Sequence, residues 1–328
     1  MVSLEEVRPL ACWTGTDYYQ GENIPSLTII LKTRGCNWNR CLMCGYRFER
    51  YSADELLDFE AKLNAQLNWV INNYPSSSYS MVKIYSSGSL FDPKEVPSSF
   101  LSRIASAFRG KVVVVETRPE FIEENKLETF ISDIDTGAWE TPLYCAIGLE
   151  TTNDNIRDKC IDKGFSMSDF FCAAEEARKA GAGVKAYVLL KPPYLTENES
   201  IEDSANTIRE VAKIAELISL NPCTVQKNTN VEFLWKRGGY RPPYLWSVLE
   251  VISRADIFVT CDPVGAGKVR GPHNCGKCDT SIIDGIRDYN LNGDLSLIEA
   301  LLEIECDCKD EWEFICMKER SYCMPLTH

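Results

Sequence analysis

Strand-like and helix-like segments alternate along most of this chain, and that rhythm restricts the fold more than any other feature. Ser26 to Lys32, Met81 to Tyr85, Lys111 to Val115, Leu143 to Leu149 and Val184 to Leu190 are β-rich runs, and Cys223 to Gln226 is a short sixth. Ala53 to Tyr74, Val96 to Phe108, Asp169 to Ala180 and Ile201 to Leu220 carry apolar residues at helical spacing between them. Repeated β-then-α units predict a parallel sheet with right-handed crossovers. Six units fall short of a closed eight-stranded barrel, so an α/β fold with an open partial (β/α)6 barrel is expected over 1–235. Beyond it the rhythm lapses into Pro- and Gly-rich loops and cysteine pairs, which marks 236–328 as a separate Cys-rich region.

The 328 residues are 45% hydrophobic, enough for one large domain with a smaller appendage. No stretch approaches the roughly 20 apolar residues of a membrane span. Acidic residues stand at the N-terminus where a signal peptide needs a basic start. A cytoplasmic protein is expected. In that reducing compartment 15 cysteines point to metal ligation or catalysis, not disulfides. Cys145, Cys160, Cys172 and Cys223 lie singly in apolar or helical surroundings and are expected to be buried structural thiols.

In such barrels the chemistry sits at the C-terminal ends of the strands. Four polar motifs take that position: a cysteine loop, Ser86-Ser87-Gly88-Ser89, Glu116-Thr117-Arg118-Pro119, and Gly148 to Asn153. The loop presents Cys36-x4-Cys41-x2-Cys44. Clustered thiolates are the usual ligands of an iron–sulfur cluster, and three of them on a 4Fe–4S cubane leave one iron open. An open iron can chelate the amino and carboxylate groups of S-adenosylmethionine (SAM) and pass it an electron. The alternatives are a zinc loop, which wants four ligands, a patch of core cysteines, or a closed electron-transfer cluster with Cys12 as fourth ligand.

The loop resembles that of the radical SAM superfamily, with one residue more in the first gap than the usual C-x3-C-x2-C. The longer gap and the Glu116–Pro119 motif are similar to the elongator-catalytic-subunit-like branch. The resemblance implies that Ser87, Gly88 and Ser89 meet the SAM amine, and that Glu116, Arg118 and Glu150 face its ribose or carboxylate. It also implies that the Met43 backbone contacts the adenine. A strand-end cap or a surface ion pair is the plainer reading of each.

Near the C-terminus, Cys275-x2-Cys278 and Cys306-x-Cys308 supply four thiolates, the complement of a structural tetrahedral zinc. Cys261, His273, Cys316 and Cys323 are competing ligands. A second iron–sulfur cluster and a reduced cysteine-rich packing unit are the alternatives.

Thr33 to Cys36, Gln226 to Thr229, Leu234 to Trp246 and Arg270-Gly271-Pro272-His273-Asn274-Cys275 together resemble the archaeosine-biosynthesis radical SAM family, the radical lyase partners of archaeosine synthase. This resemblance covers the chain from the first strand onward. It implies a lyase acting on tRNA whose D-arm carries a lysine-modified 7-deazaguanine. Cleavage of the lysine-side C–N bond leaves archaeosine, and the lysine-transferring archaeosine synthase is the implied partner. Neither DNA nor a membrane is an expected partner.

The net charge of −13 argues against a large autonomous nucleic-acid surface. Between Gln226 and Cys278, however, eight Lys/Arg oppose four acids. Arg241, Arg270, His273 and Asn274 in this basic, aromatic-laced stretch are the expected substrate contacts. Core packing is the plainer reading of Trp235, Tyr240 and Trp246. The rival functions are another radical SAM enzyme acting on RNA or a small molecule, and a non-catalytic iron–sulfur or zinc scaffold of an RNA-modification complex.

Overall fold

The chain enters its sheet through a hairpin. In the computed structural model, which describes residues 6–321 and 325–326, β1 (Ala11–Tyr19) runs antiparallel to β2 (Glu22–Ile30), from Ala11 opposite Ile30 to Tyr19 opposite Glu22. Gln20 and Gly21 form the two-residue turn with φ of 50° and 88°, the left-handed pair that matches the twist of the flanking strands. The strands β3 (Met81–Tyr85), β4 (Val112–Thr117), β5 (Leu143–Glu150), β6 (Gly183–Leu190), β7 (Leu217–Pro222) and β8 (Thr260–Cys261) then follow as neighbours in chain order. Pairing is parallel for β2 with β3, β3 with β4, β4 with β5, and β7 with β8. The parallel β/α class read from the sequence holds. β4 and β5 are almost continuously buried, as expected for strands covered on both faces.

Two compact units share the chain. The first takes in the chain to Asn39, Tyr46–Gly148 and Ser168–Lys185. It contains α1 (Phe59–Asn73), α2 (Ser98–Ala107) and α3 (Glu124–Ile134), with α1 packing on α2 and α2 on α3. The second takes in Arg40–Gly45, Leu149–Met167 and the chain from Ala186. Here α4 (Asp154–Ile156) runs into a π turn, Arg157–Ile161. After α5 (Met167–Lys179), which falls mainly in the first unit, come α6 (Glu197–Val211), α7 (Asn230–Trp235), α8 (Leu245–Ser253), α9 (Asp279–Asn292), α10 (Leu295–Leu302) and α11 (Asp307–Lys318). α8 is buried on nearly every side and packs against α6, α9 and α10. Thr196 starts α6 with a reciprocal cap: its Oγ1 accepts from Glu199 N at 3.1 Å, and its own N donates to Glu199 Oε2 at 2.9 Å.

Several local expectations need correction. The helix expected over 201–220 ends at Val211, where the bonding tightens to the i−3 pattern: Lys213 N donates to Glu210 O at 3.3 Å and Ile214 N to Val211 O at 2.8 Å. Leu217–Pro222 is therefore the strand, and Cys223–Gln226 follows it as loop. The helix expected over 53–74 is broken at Asp58, which adopts a left-handed conformation with φ 56°. On the apolar side of that segment Leu63, Leu67 and Val70 are buried, whereas Leu57 and Ile71 are exposed. Of the four single thiols, Cys145 and Cys223 are buried, Cys160 is half-buried, and Cys172 is exposed on α5. Among the described residues no helix is long and apolar enough to cross a membrane.

Candidate active site and metal centre

The cysteine loop begins in the first unit, where the chain leaves β2. Leu31 N still donates to Tyr85 O at 2.8 Å, and Gly35 then turns at φ 83° to deliver Cys36. Gly88, in the turn after β3, lies against this point: a Cβ on it would sit 2.6 Å from Cys36 Cα and 3.0 Å from Cys36 N. Only a glycine fits there. The turn is tied further to β4, since Leu90 N donates to Glu116 O at 2.9 Å and Arg118 N to Ser89 Oγ at 3.0 Å. The Arg118 guanidinium lies 5.5 Å from the Trp38 ring and pairs with Glu120 at 2.6 Å. The first unit thus brings together Cys36, Ser87, Gly88, Ser89, Glu116 and Arg118.

One residue of this cradle was not foreseen. Glu95 is buried and accepts from Thr33 Oγ1 at 2.5 Å and from Ser89 N at 2.6 Å. It clasps the approach to Cys36 and the glycine turn with a single carboxylate. Burial pushes its pKa up, partly offset by those two donors and by Ser86. A lone Glu in Asp92-Pro93-Lys94-Glu95-Val96 carries no spacing signal that could have flagged it.

Cys41, Met43 and Cys44 belong to the second unit. Leu42 N donates to Ile161 O at 2.8 Å, Asn230 N to Leu42 O at 3.0 Å, and Cys44 N to Cys41 O at 3.2 Å. Gly45 N donates to Gln226 Oε1, and a Cβ on Gly45 would meet the Gln226 Cβ at 2.9 Å. Met43 packs against the cluster of Ile161, Leu189, Val225, Val231 and Tyr240. The π turn that presents Ile161 is held by the fully buried Arg157, whose Nε donates to Leu149 O at 3.3 Å. Glu150 takes φ 71° at the end of β5 and forms an ion pair with Lys163 at 2.6 Å. The donor set fits an iron–sulfur cluster by its chemistry: three thiols stand in the spacing Cys36-x4-Cys41-x2-Cys44 along one stretch of chain.

Cys275, Cys278, Cys306 and Cys308 converge in the second unit, all four sulfurs within 4.8 Å of one another. Cys275–Cys306 and Cys278–Cys308 are 3.6 Å apart, and Cys306–Cys308 3.4 Å. Four thiolates at ~2.3 Å from one zinc stand about 3.8 Å apart, so the spacing suits a single ion. A cubane binds each thiolate to a different iron and spreads them further. Asn274 Nδ2 and Trp246 Nε1 each reach a sulfur at 3.3 Å, on Cys278 and Cys308 respectively. Such donors orient ligating thiolates and stabilise their charge. Burial opposes ionisation of Cys275, yet the Lys277 N–H and neighbouring thiols bring it down to about 7. Cys261, His273 and Cys316 are outside the group, and Cys323 lies outside the described residues.

The chain is 38% identical over 317 residues to archaeosine synthase subunit beta of Methanosarcina acetivorans, covering 93% of this chain and 89% of that protein. It belongs to the archaeosine synthase subunit beta family. A second member, from Thermococcus kodakarensis, is 33% identical and matches 92% of this chain and 95% of its own. No family model matches. Among solved structures, Elp3 of Methanocaldococcus infernus is 16% identical with a TM-score of 0.49, over 74% of this chain and 62% of that one.

In this member of the archaeosine synthase subunit beta family the four expected substrate contacts differ in accessibility. Arg241 is buried, donating to Pro242 O at 2.7 Å and His273 O at 3.0 Å, with its guanidinium 3.4 Å from the Tyr244 ring. Asn274 is buried too, and its Oδ1 accepts from Leu245 N at 2.8 Å at the start of α8. Arg270 bonds Val225 O at 3.0 Å and pairs with Glu232 at 2.6 Å. His273 is half-buried, its Nδ1 2.8 Å from Gly271 O. It lines a cavity of about 560 Å³ together with Trp235, Arg237, Gly238 and Val269.

Proposed function

We propose that this chain is the radical SAM lyase of archaeosine formation, cleaving the lysine-side C–N bond of a lysine-modified 7-deazaguanine in the tRNA D-arm. Its similarity to archaeosine synthase subunit beta along nearly the whole chain carries this reading. Residues 1–235 supply the radical SAM barrel, and 236–328 the metal-binding region. Cys36, Cys41 and Cys44 hold the cluster. Once bound, a three-thiolate 4Fe–4S cluster supplies the electron that cleaves SAM reductively.

The protein's own part is to position and to shield. The Ser87-Gly88-Ser89 turn receives the SAM amine, held at the cysteine loop by the close packing of Gly88 on Cys36. Arg118, Glu116 and Glu150 take the SAM carboxylate and ribose, and the Met43 backbone takes the adenine. Arg241 and Asn274 act from inside, shaping the loop that carries Arg270 and His273 toward substrate. The four C-terminal thiolates hold zinc and fix that loop. As the beta subunit of a synthase, the chain works in the cytoplasm with a lysine-transferring partner. The −13 charge supports leaving most of the grip on tRNA to that partner.

The test is anaerobic reconstitution with iron and sulfide, then incubation with dithionite, SAM and tRNA bearing the lysine adduct. Archaeosine and 5′-deoxyadenosine are expected together. Formation of 5′-deoxyadenosine with the adduct left intact would assign another radical SAM reaction, and formation of neither product would assign a scaffold.

A further inference from the structure

The cavity between α7 and the loop of Val269 to His273 lies in the second unit and has no part in holding the cluster. Its wall combines an apolar surface from Trp235 and Val269, the Arg237 cation and the His273 imidazole. About 560 Å³ falls inside the usual range of small-ligand sites, ~300–1,000 Å³. On the His273 side Arg241 outweighs each of Asp279 and Glu197, and on the α7 side the unclaimed charge is positive. Glu232, the acid of α7, is already claimed by Arg270 at 2.6 Å and Lys236 at 3.4 Å. Arg237 rests on Phe233 with its guanidinium 3.7 Å from the ring, and neither it nor Lys268 has a carboxylate partner among the described residues. Free cations beside an apolar wall are unusual on a chain of net charge −13. They suit a ligand that is flat and apolar in one part and anionic in another.

The position of the cavity narrows the ligand. α7 spans Asn230–Trp235, about 9 Å at 1.5 Å per residue. At one end Asn230 N binds Leu42 O inside the cysteine loop, and at the other Trp235 lines the cavity. A single short helix therefore joins the cavity wall to the loop of Cys41 and Cys44. We propose that this cavity binds an unpaired nucleotide of the RNA substrate, its base on the wall of Trp235 and Val269 and its phosphate at Arg237. The inference rests on the RNA reading above and adds a nucleotide-binding site to it. The loop that supplies His273 continues into Cys275 and Cys278, so the thiolate centre also fixes one wall of the cavity.

The experiment titrates the full, metal-replete chain into a fluorescently labelled, unmodified tRNA transcript at several salt concentrations. Loss of a base-stacking surface in Trp235→Ala is expected to weaken binding on the order of 10-fold. Because Trp235 also packs on the core, Arg237→Ala is the second probe. This exposed change should lower the slope of log K against log salt by about one, the signature of one lost phosphate contact. Wild-type affinity and slope in both variants, or no binding of the transcript by the wild type, would overturn the inference. A wild type that binds the transcript but makes no 5′-deoxyadenosine from SAM when reconstituted, reduced with dithionite and given adduct-bearing tRNA would refute the radical reading and leave the nucleotide site standing.

Discussion

Gly88 and Cys36 touch backbone to backbone: a Cβ on Gly88 would come within 2.6 Å of Cys36 Cα and would also collide with Glu95 Oε2. Neither obstacle is the free end of a mobile side chain, so Gly88→Ala must displace the turn. Misplacement by about 1 Å of a group that orients a reactant can cost on the order of 100-fold in rate. Gly88→Ala should lower 5′-deoxyadenosine formation by that order while iron content per chain stays at the wild-type level. Chromatography of the product and iron analysis check it, and an unimpaired rate would count against the turn as the SAM-amine site.

Glu95 gives the cradle a pH dependence. Its folded pKa lies above the ordinary carboxylate value because burial penalises the charged form. A raised carboxylate contributes stability that is complete below the unfolded value, near 4.3, and is lost as pH rises through the folded value. Glu95→Gln removes the ionisation while keeping an oxygen to accept from Ser89 N. The variant should lose less stability than the wild type as pH rises above the ordinary carboxylate value, as read from denaturant midpoints. Equal losses in the two proteins would show that Glu95 is not the titrating group.

The cysteine spacing, the glycine turn and the Glu116–Arg118 motif were legible because each is a short contiguous run of distinctive residues following a strand. Glu95 was not, since its link to Thr33 and Ser89 exists only once β2 and β3 lie side by side. β1 also escaped notice. Its middle residues, Trp13 to Thr16, are all exposed, so the apolar alternation that marks a half-buried strand is missing. The end of α6 was misread because Leu217, Ile218 and Leu220 continue an apolar pattern that a helix and a buried strand share. The four C-terminal thiols were readable as a set because close cysteine pairs have few uses in a reducing compartment.

The thiolate centre should hold one zinc per chain. Cys278→Ser should abolish it, and Asn274→Ala, which removes the donor to the Cys278 sulfur, should weaken zinc about 10- to 100-fold. Competition with a chromophoric chelator measures both. Acidification should release the metal, because the ligands must be thiolates. An Asn274→Ala protein with unchanged zinc affinity would remove the orienting role given to this amide.

Lys191 and Glu197 form an ion pair with side chains 3% and 0% exposed. Glu197 also accepts from Tyr244 N at 2.8 Å and Ser247 Oγ at 2.5 Å. Lys191→Met strands a buried carboxylate and should destabilise the chain by about 3–5 kcal/mol. Adding Glu197→Gln should recover part of that loss. Thermal or denaturant unfolding of the single and double variants decides, and a neutral Lys191→Met would show the carboxylate to be satisfied without its lysine.

Radical chemistry in this chain requires a cluster held by three thiolates, with one iron left for SAM. Electron paramagnetic resonance of the dithionite-reduced, reconstituted protein tests this directly. Addition of SAM should change the g values of the cluster signal, and Cys36→Ala, Cys41→Ala or Cys44→Ala should each abolish the signal while Cys12→Ala retains it. A spectrum indifferent to SAM, or a cluster lost with Cys12, would mean that all four irons are closed by protein and that the chain is not a radical enzyme.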